Sequence, residues 1–194
     1  MGRPEENLNR KFTYTDYLTW PEEERWEIID GIPYNMTPAP STRHQQIVAA
    51  LIASFFNNLK NTPSQVFGAS FEVRLAEKDK NDKEIFTVVQ PDIAIICDRT
   101  KLDARGCQGS PDLIVEVISP STFRKDIKEK FYLYEKAGVL EYWLIYPEEK
   151  TVVVFRLGND CKYGRPDVYT ELDDIQSKIP DSFTIHLAEI FIDE

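Results

Sequence analysis

The stretch SPDLIVEVISPS, residues 110–121, decides the fold. In an extended strand side chains alternate, so Asp112, Ile114, Glu116 and Ile118 share one face while Leu113, Val115 and Val117 share the other. Neither face is polar enough to meet water. A nearly continuous apolar run of this kind is a central strand covered on both sides. An ionised carboxylate in such a strand costs several kcal/mol unless it is paired or metal-bound, so Glu116 requires a partner. The stretch VVQPDIAIICD, residues 88–98, repeats the pattern: Asp92 shares its face with Ala94 and Ile96, and Pro91 sets it at a strand end facing a cleft.

Working outward, QVFGASFEVRLAE (65–77) alternates as a strand, and EKDKNDKE (77–84) has the chemistry of a hairpin loop before a long strand IFTVVQPDIAIICD (85–98). EYWLIYP and TVVVFRL supply two more strands. STRHQQIVAALIASFFNNLK (41–60) offers Ser41 or Thr42 as N-cap and sets apolar residues at 48, 51, 52, 55 and 59, one helical face. PEEERWEIIDG (21–31) reads as a short helix, proline early and glycine late, with a brief strand IPYNM after it. Another helix runs from about Thr122 to Ala137. The expected class is α/β, a single mixed central sheet flanked by helices. A chain of 194 residues suits one domain, at roughly 150 residues per domain, spanning 13–194 behind a flexible segment 1–12.

The helix of residues 122–137 carries an anomaly. At the spacing of an α-helix, Phe123, Ile127, Phe131, Leu133, Tyr134 and Ala137 occupy one arc, with Lys130 at its centre and Asp126 inside it. Lys125, Lys128, Glu129 and Lys136 point the other way, into water. A lysine in the middle of a buried stripe needs an acidic partner, so Lys130 reaches toward the sheet carboxylates.

Two strand carboxylates and an inward lysine match the needs of phosphodiester hydrolysis. That reaction uses a divalent cation held by carboxylates and a further positive group to orient water or offset developing charge. Hard oxygen ligands suit Mg²⁺ or Mn²⁺. The order Pro91-Asp92, then Glu116, then a basic residue resembles the PD-(D/E)xK superfamily of restriction-endonuclease-like proteins. There the lysine stands two residues after the glutamate, a place Ile118 takes here; in several branches the following helix carries it, as Lys130 would. WEIIDG, HQQIVAAL and the segment from SPSTFRKDIKEK to TVVVFRL further resemble a large bacterial family within that superfamily, a likeness spanning about residues 13–157. The resemblance implies that Asp92 and Glu116 bind the metal, that Lys130 is the catalytic cation, and that Glu27 joins the site as a first-helix acid. It also implies DNA as substrate and a homodimer, since cutting two strands takes two sites.

Other readings compete. Pro91-Asp92 and Pro111-Asp112 can be plain turns, and for Asp112 the turn is preferred. Glu116 and Lys130 can be a structural ion pair in a catalytically silent domain that binds nucleic acid or protein. A glycosidase is disfavoured because Asp112 and Glu116 on one strand do not flank a bond. His44 fits a packed or capping role, Tyr134 a core position with its hydroxyl satisfied near the site, and Trp143 the strand core. Cys97, Cys107 and Cys161 read as free thiols, Cys97 buried. No apolar run reaches 18 residues and the N-terminal stretch lacks a signal-peptide core, so a cytoplasmic protein is expected. With 23 basic and 33 acidic residues the formal net charge is −10, which argues against coating nucleic acid nonspecifically. Binding to nucleic acid should therefore be weak and fall steeply with added salt; a titration giving tight, salt-independent affinity would contradict this.

Overall fold

In a computed structural model of the chain, residues 10–21, 23–36, 39–76, 79–120 and 122–192 are described. In chain order they form helix α1 (Tyr14–Tyr17), strands β1 (Trp26–Ile29) and β2 (Ile32–Asn35), and the long helix α2 (Thr42–Leu59). Strands β3 (Gln65–Gly68), β4 (Val73–Arg74), β5 (Val88–Val89), β6 (Ile93–Ile96), β7 (Leu102–Asp103), β8 (Gly106–Gln108) and β9 (Leu113–Val117) follow. A π-helical stretch, Lys125–Lys130, runs directly into α3 (Phe131–Ala137). The chain continues with β10 (Glu141–Tyr146), β11 (Thr151–Arg156), β12 (Asp167–Thr170), β13 (Asp174–Gln176) and β14 (Thr184–His186). No helix among the described residues is long and apolar enough to cross a membrane.

The class is α/β, but the single sheet is corrected to two. One six-stranded sheet has the order β2-β1-β5-β4-β8-β7 and the other β12-β11-β10-β9-β6-β3, with β13 and β14 as a separate ribbon. The run from Val88 to Ile96 is divided between the sheets because Pro91 has no N–H to give a ladder, and the chain passes from β5 in one sheet to β6 in the other. The stretch 65–77 is divided likewise, into β3 and β4.

The expected centre holds. Strand β9 lies between β10, parallel to it, and β6, antiparallel. All five of its residues are buried. Leu113, Val115 and Val117 pack in one cluster with Ile47, Leu51 and Phe55 of α2 and with Trp143. Ile114 packs in a second cluster with Tyr134, Tyr142 and Leu133. Helix α2 starts where Ser41 accepts a hydrogen bond from the His44 N–H, as expected, and buries Ile47, Val48, Leu51, Phe55 and Leu59 at helical spacing.

The helix expected over residues 21–31 is instead a hairpin, within a stretch whose residue 22 is outside the described residues. Ile29 pairs with Ile32, leaving Asp30 and Gly31 as a two-residue turn with φ of 50° and 84°. Two successive positive φ values define the hairpin turn that Asp-Gly favours. All four residues of β1 are buried, which the packing of both faces explains and an amphipathic helix would not. Of the segment 1–12, residues 1–9 lie outside the described residues, while Phe12 is buried and its N–H bonds the Gly31 carbonyl. A Cβ on Gly31 would come within 2.7 Å of the Lys11 Cβ. Gly31→Ala should therefore lower stability by about 1–3 kcal/mol, the scale of a strained left-handed residue, as measured by urea unfolding.

Candidate active site

Four elements deliver one polar cluster into the space between the sheets. Strand β9 contributes Glu116, the crossing after Pro91 contributes Asp92, and β1 contributes Glu27. The π-helix contributes Lys125, Asp126 and Lys130. Lys130 is almost fully buried, and its Nζ lies 2.7 Å from Glu116 Oε1, 2.9 Å from Glu27 Oε1 and 3.8 Å from Asp126 Oδ1. Lys125 Nζ takes the other oxygen of Glu27 at 2.8 Å. Tyr134 donates its hydroxyl to Glu116 Oε1 at 2.9 Å, and the Gln90 N–H donates to Glu27 Oε1 at 3.0 Å.

Asp92 is fixed differently. Its Oδ2 accepts the Val117 N–H at 2.8 Å and lies 3.1 Å from His44 Nε2. His44 Nδ1 is buried without a hydrogen-bond partner. Asp92, Glu116, His44, Lys125, Asp126 and Lys130 all line one cavity of about 480 Å³.

The electrostatics divide the acids. Burial alone would raise Glu27, but the ammonium groups of Lys130 and Lys125 overcome it and hold the carboxyl down at about 2. Glu116 goes the other way, pushed up to about 8 first by burial and then by the neighbouring charges of Asp126, Asp92 and Glu27. Lys130 touches Glu116 but must also serve Glu27 and Asp126, so its single charge does not reverse the rise. Asp126 is raised too, chiefly by burial, and its Oδ1 has no hydrogen-bond donor.

The expected convergence of Lys130 on the strand acids is present: it meets Glu116 directly, while Asp92 stands on the wall of the same cavity. Glu27 arrives from a strand, not a helix, and has no exposed surface; both its oxygens are engaged by ammonium groups. Tyr134 and Trp143 are buried as read, the indole N–H bonding Glu141. Asp112 stands just before β9 and accepts the Cys97 N–H at 2.7 Å, a tie to the end of the neighbouring strand β6 and not a bond within a local turn. Cys97 itself is half-buried, and Cys107 is the buried thiol. Three details differ. Lys125 was expected in water and instead faces Glu27. Phe123 and Ile127, expected in the buried arc, are exposed. The π-helical winding accounts for these shifts, because it changes the angle between successive residues from that of an α-helix. His44 was read only as packed or capping, yet its ring also meets Asp92; spacing along a helix says nothing of what a distant turn brings against it.

Among the described residues no group of three or more His, Cys, Asp or Glu side chains is arranged to hold a metal ion. Magnesium does not require one: it keeps several waters and is commonly bound through one or two carboxylates. The donor set fits such an ion. Asp92 and Glu116 present oxygen atoms to the cavity, and beside them Asp126 Oδ1 is buried without a hydrogen-bond partner.

Comparison with known proteins agrees with this architecture. Residues 14–188 match the family Uma2, described as "putative restriction endonuclease". An uncharacterised protein of Synechocystis is 28% identical over 137 residues, covering 70% of this chain and 68% of that protein. A crystal structure from Anabaena variabilis, described as "a putative nuclease belonging to DUF820", superposes with a TM-score of 0.72 at 20% identity, covering 93% of this chain and 97% of that one. At that identity the likeness speaks for the fold alone.

The opposed shifts of Glu27 and Glu116 have opposite consequences for stability. Glu27, depressed to about 2, contributes stability above its unfolded value of 4.5 and loses it as pH falls toward 2. Glu116, raised to about 8, contributes below 4.5 and loses that contribution as pH climbs through 8. Glu116→Gln should accordingly compare better with the unaltered protein at pH 9 than at pH 5 in thermal midpoints taken without divalent ions; an equal difference at both would contradict the elevated value.

Proposed function

We propose that this chain, which belongs to the Uma2 family, is a metal-dependent endonuclease that hydrolyses phosphodiester bonds in DNA. The observation that carries the reading is the contact of Lys130 Nζ with Glu116 and Glu27 at the wall of a cavity that also holds Asp92. Asp92 and Glu116 are the residues that would hold Mg²⁺ or Mn²⁺. When bound, the ion supplies Lewis acidity at the phosphoryl oxygen and a more acidic water.

The chain's own groups supply the rest. The Val117 N–H and His44 tie down one oxygen of Asp92, which fixes the orientation of its carboxylate. Glu27 serves as the anchor of the ammonium groups, and it takes this role in place of metal binding because both of its oxygens are engaged. Lys130, so anchored, is rigid and charged; its ammonium orients the attacking water or steadies the charge that develops on the phosphoryl group. A preset positive charge of this kind needs no reorganisation during the reaction. Arg124 and Lys128 carry positive charge on the same helix and steer the strand against the acidic remainder of the surface. A homodimer would bring a second site for the second strand, and the cytoplasm is the compartment where such an enzyme meets DNA.

Conversion of supercoiled plasmid to nicked and linear forms in Mg²⁺ tests the proposal. Cleavage should need the divalent ion and should fall by about 10²-fold or more in Glu116→Ala and in Lys130→Ala, the scale of losing one preorganised charged group. Equal cleavage by all three proteins would remove Glu116 and Lys130 from the site, and no cleavage by the unaltered chain across Mg²⁺ and Mn²⁺ would favour the silent binding domain.

A further inference from the structure

The two lysines of the cluster are not equivalent. Lys130 keeps 2% side-chain exposure and is enclosed by Glu27, Glu116 and Asp126. Lys125 keeps 15%, lines the cavity, and has one carboxylate against it, Glu27 through Oε2. Glu27 would not be left alone if Lys125 moved away, because its Oε1 retains Lys130 and the Gln90 N–H. Lys125, with the Tyr34 ring 6.0 Å from its ammonium, is thus a cavity-lining cation with a place to return to.

The winding of the helix brings it there. At 3.6 residues per turn, residues five apart project about 140° from each other, so an α-helix could aim only one of these lysines at the sheet. With bonds closing five residues back, Lys125 and Lys130 come to the same side and divide the two oxygens of Glu27 between them. Glu27 keeps a cation on Oε1 through Lys130 whichever way Lys125 turns, although that charge is shared with Glu116 and Asp126. Arg25, which precedes β1 and holds the Gln90 side chain, lines the same cavity and adds a further positive group to its wall.

We infer that Lys125 is a second substrate-contacting cation of this site, leaving Glu27 for a non-bridging oxygen of a nucleic-acid phosphate that enters the cavity. The inference rests on the nuclease reading and gives it a phosphate subsite separate from the anchored Lys130. No covalent step is involved: one ion pair is exchanged for another.

The test uses the full chain and a fluorescent DNA duplex, with Ca²⁺ as the divalent ion, and follows affinity from 50 to 200 mM salt. A lysine on a phosphate contributes about 0.9 to the slope of log affinity against log salt, so Lys125→Met should flatten the slope by about that amount. Lys125→Arg should retain it. The double variant Lys125→Met/Glu27→Gln has no carboxylate left short of a cation at that position, so it also covers the case in which the single variant folds poorly. If Lys125 contacts phosphate, the double variant stays as flat as the single. A slope unchanged in Lys125→Met, or restored in the double variant, overturns the inference and leaves Lys125 as the neutraliser of Glu27. Failure of the nuclease reading looks different: the unaltered chain would nick no plasmid in Mg²⁺. A chain that also bound no duplex would remove both.

Discussion

The structure depends on a single ammonium group held away from water. Lys130 leaves the helix after β9 and ends between Glu27 of one sheet and Glu116 of the other, so one charge joins three elements that share no backbone pairing. Isolated, that ammonium would be intolerable in the interior; with its acids it is held, and removing one partner of such a pair costs about 3–5 kcal/mol. The same contact that secures the two sheets therefore also sets the charge pattern of the cavity. Stability and chemistry draw on the same atoms, which is why neither acid reads as an ordinary core residue.

Division of labour among the acids follows from that arrangement. Two ammonium groups converge on Glu27 and hold it ionised. Glu116 receives part of one ammonium and faces three other carboxylates, so it is the member of the cluster most in need of additional positive charge. Asp92, tied by one oxygen to the backbone of β9 and to α2, faces the cavity beside it. In an acidic protein these acids set a negative field against any polyanion, and Arg25 and Lys125 on the same cavity wall offset part of it.

Much of this was legible in the residues. The apolar run around Glu116 required a strand covered on both faces and a buried partner for the acid, and Lys130 was the lysine whose place on its helix could supply one. Helix α2 was readable from its cap and its periodicity. The misreadings have local causes. Pro21 and Gly31 mimic the punctuation of a helix, while the stronger signal, Asp30-Gly31 between two apolar pairs, belongs to a hairpin. The one long strand expected over 85–98 overlooks that Pro91, a residue without an N–H, is also where a chain can leave one sheet for another. Lys125 was assigned by α-helical angles, and a π-turn leaves no mark in composition or in hydrophobic spacing. His44 meets Asp92 only through tertiary packing.

The crossing at Pro91 has a mechanical meaning. Strand β5 belongs to one sheet and β6 to the other, and Asp92 stands on the short link between them, latched to β9 by the Val117 N–H. Any sliding of one sheet over its neighbour must drag this link, while Asp92 and Glu116 stay together on the sheet that holds β6 and β9. The cavity acids thus keep their spacing when the layers shift, and the group whose distance would change is Glu27 on the opposite layer, so Lys130 is the pin that registers the two sheets.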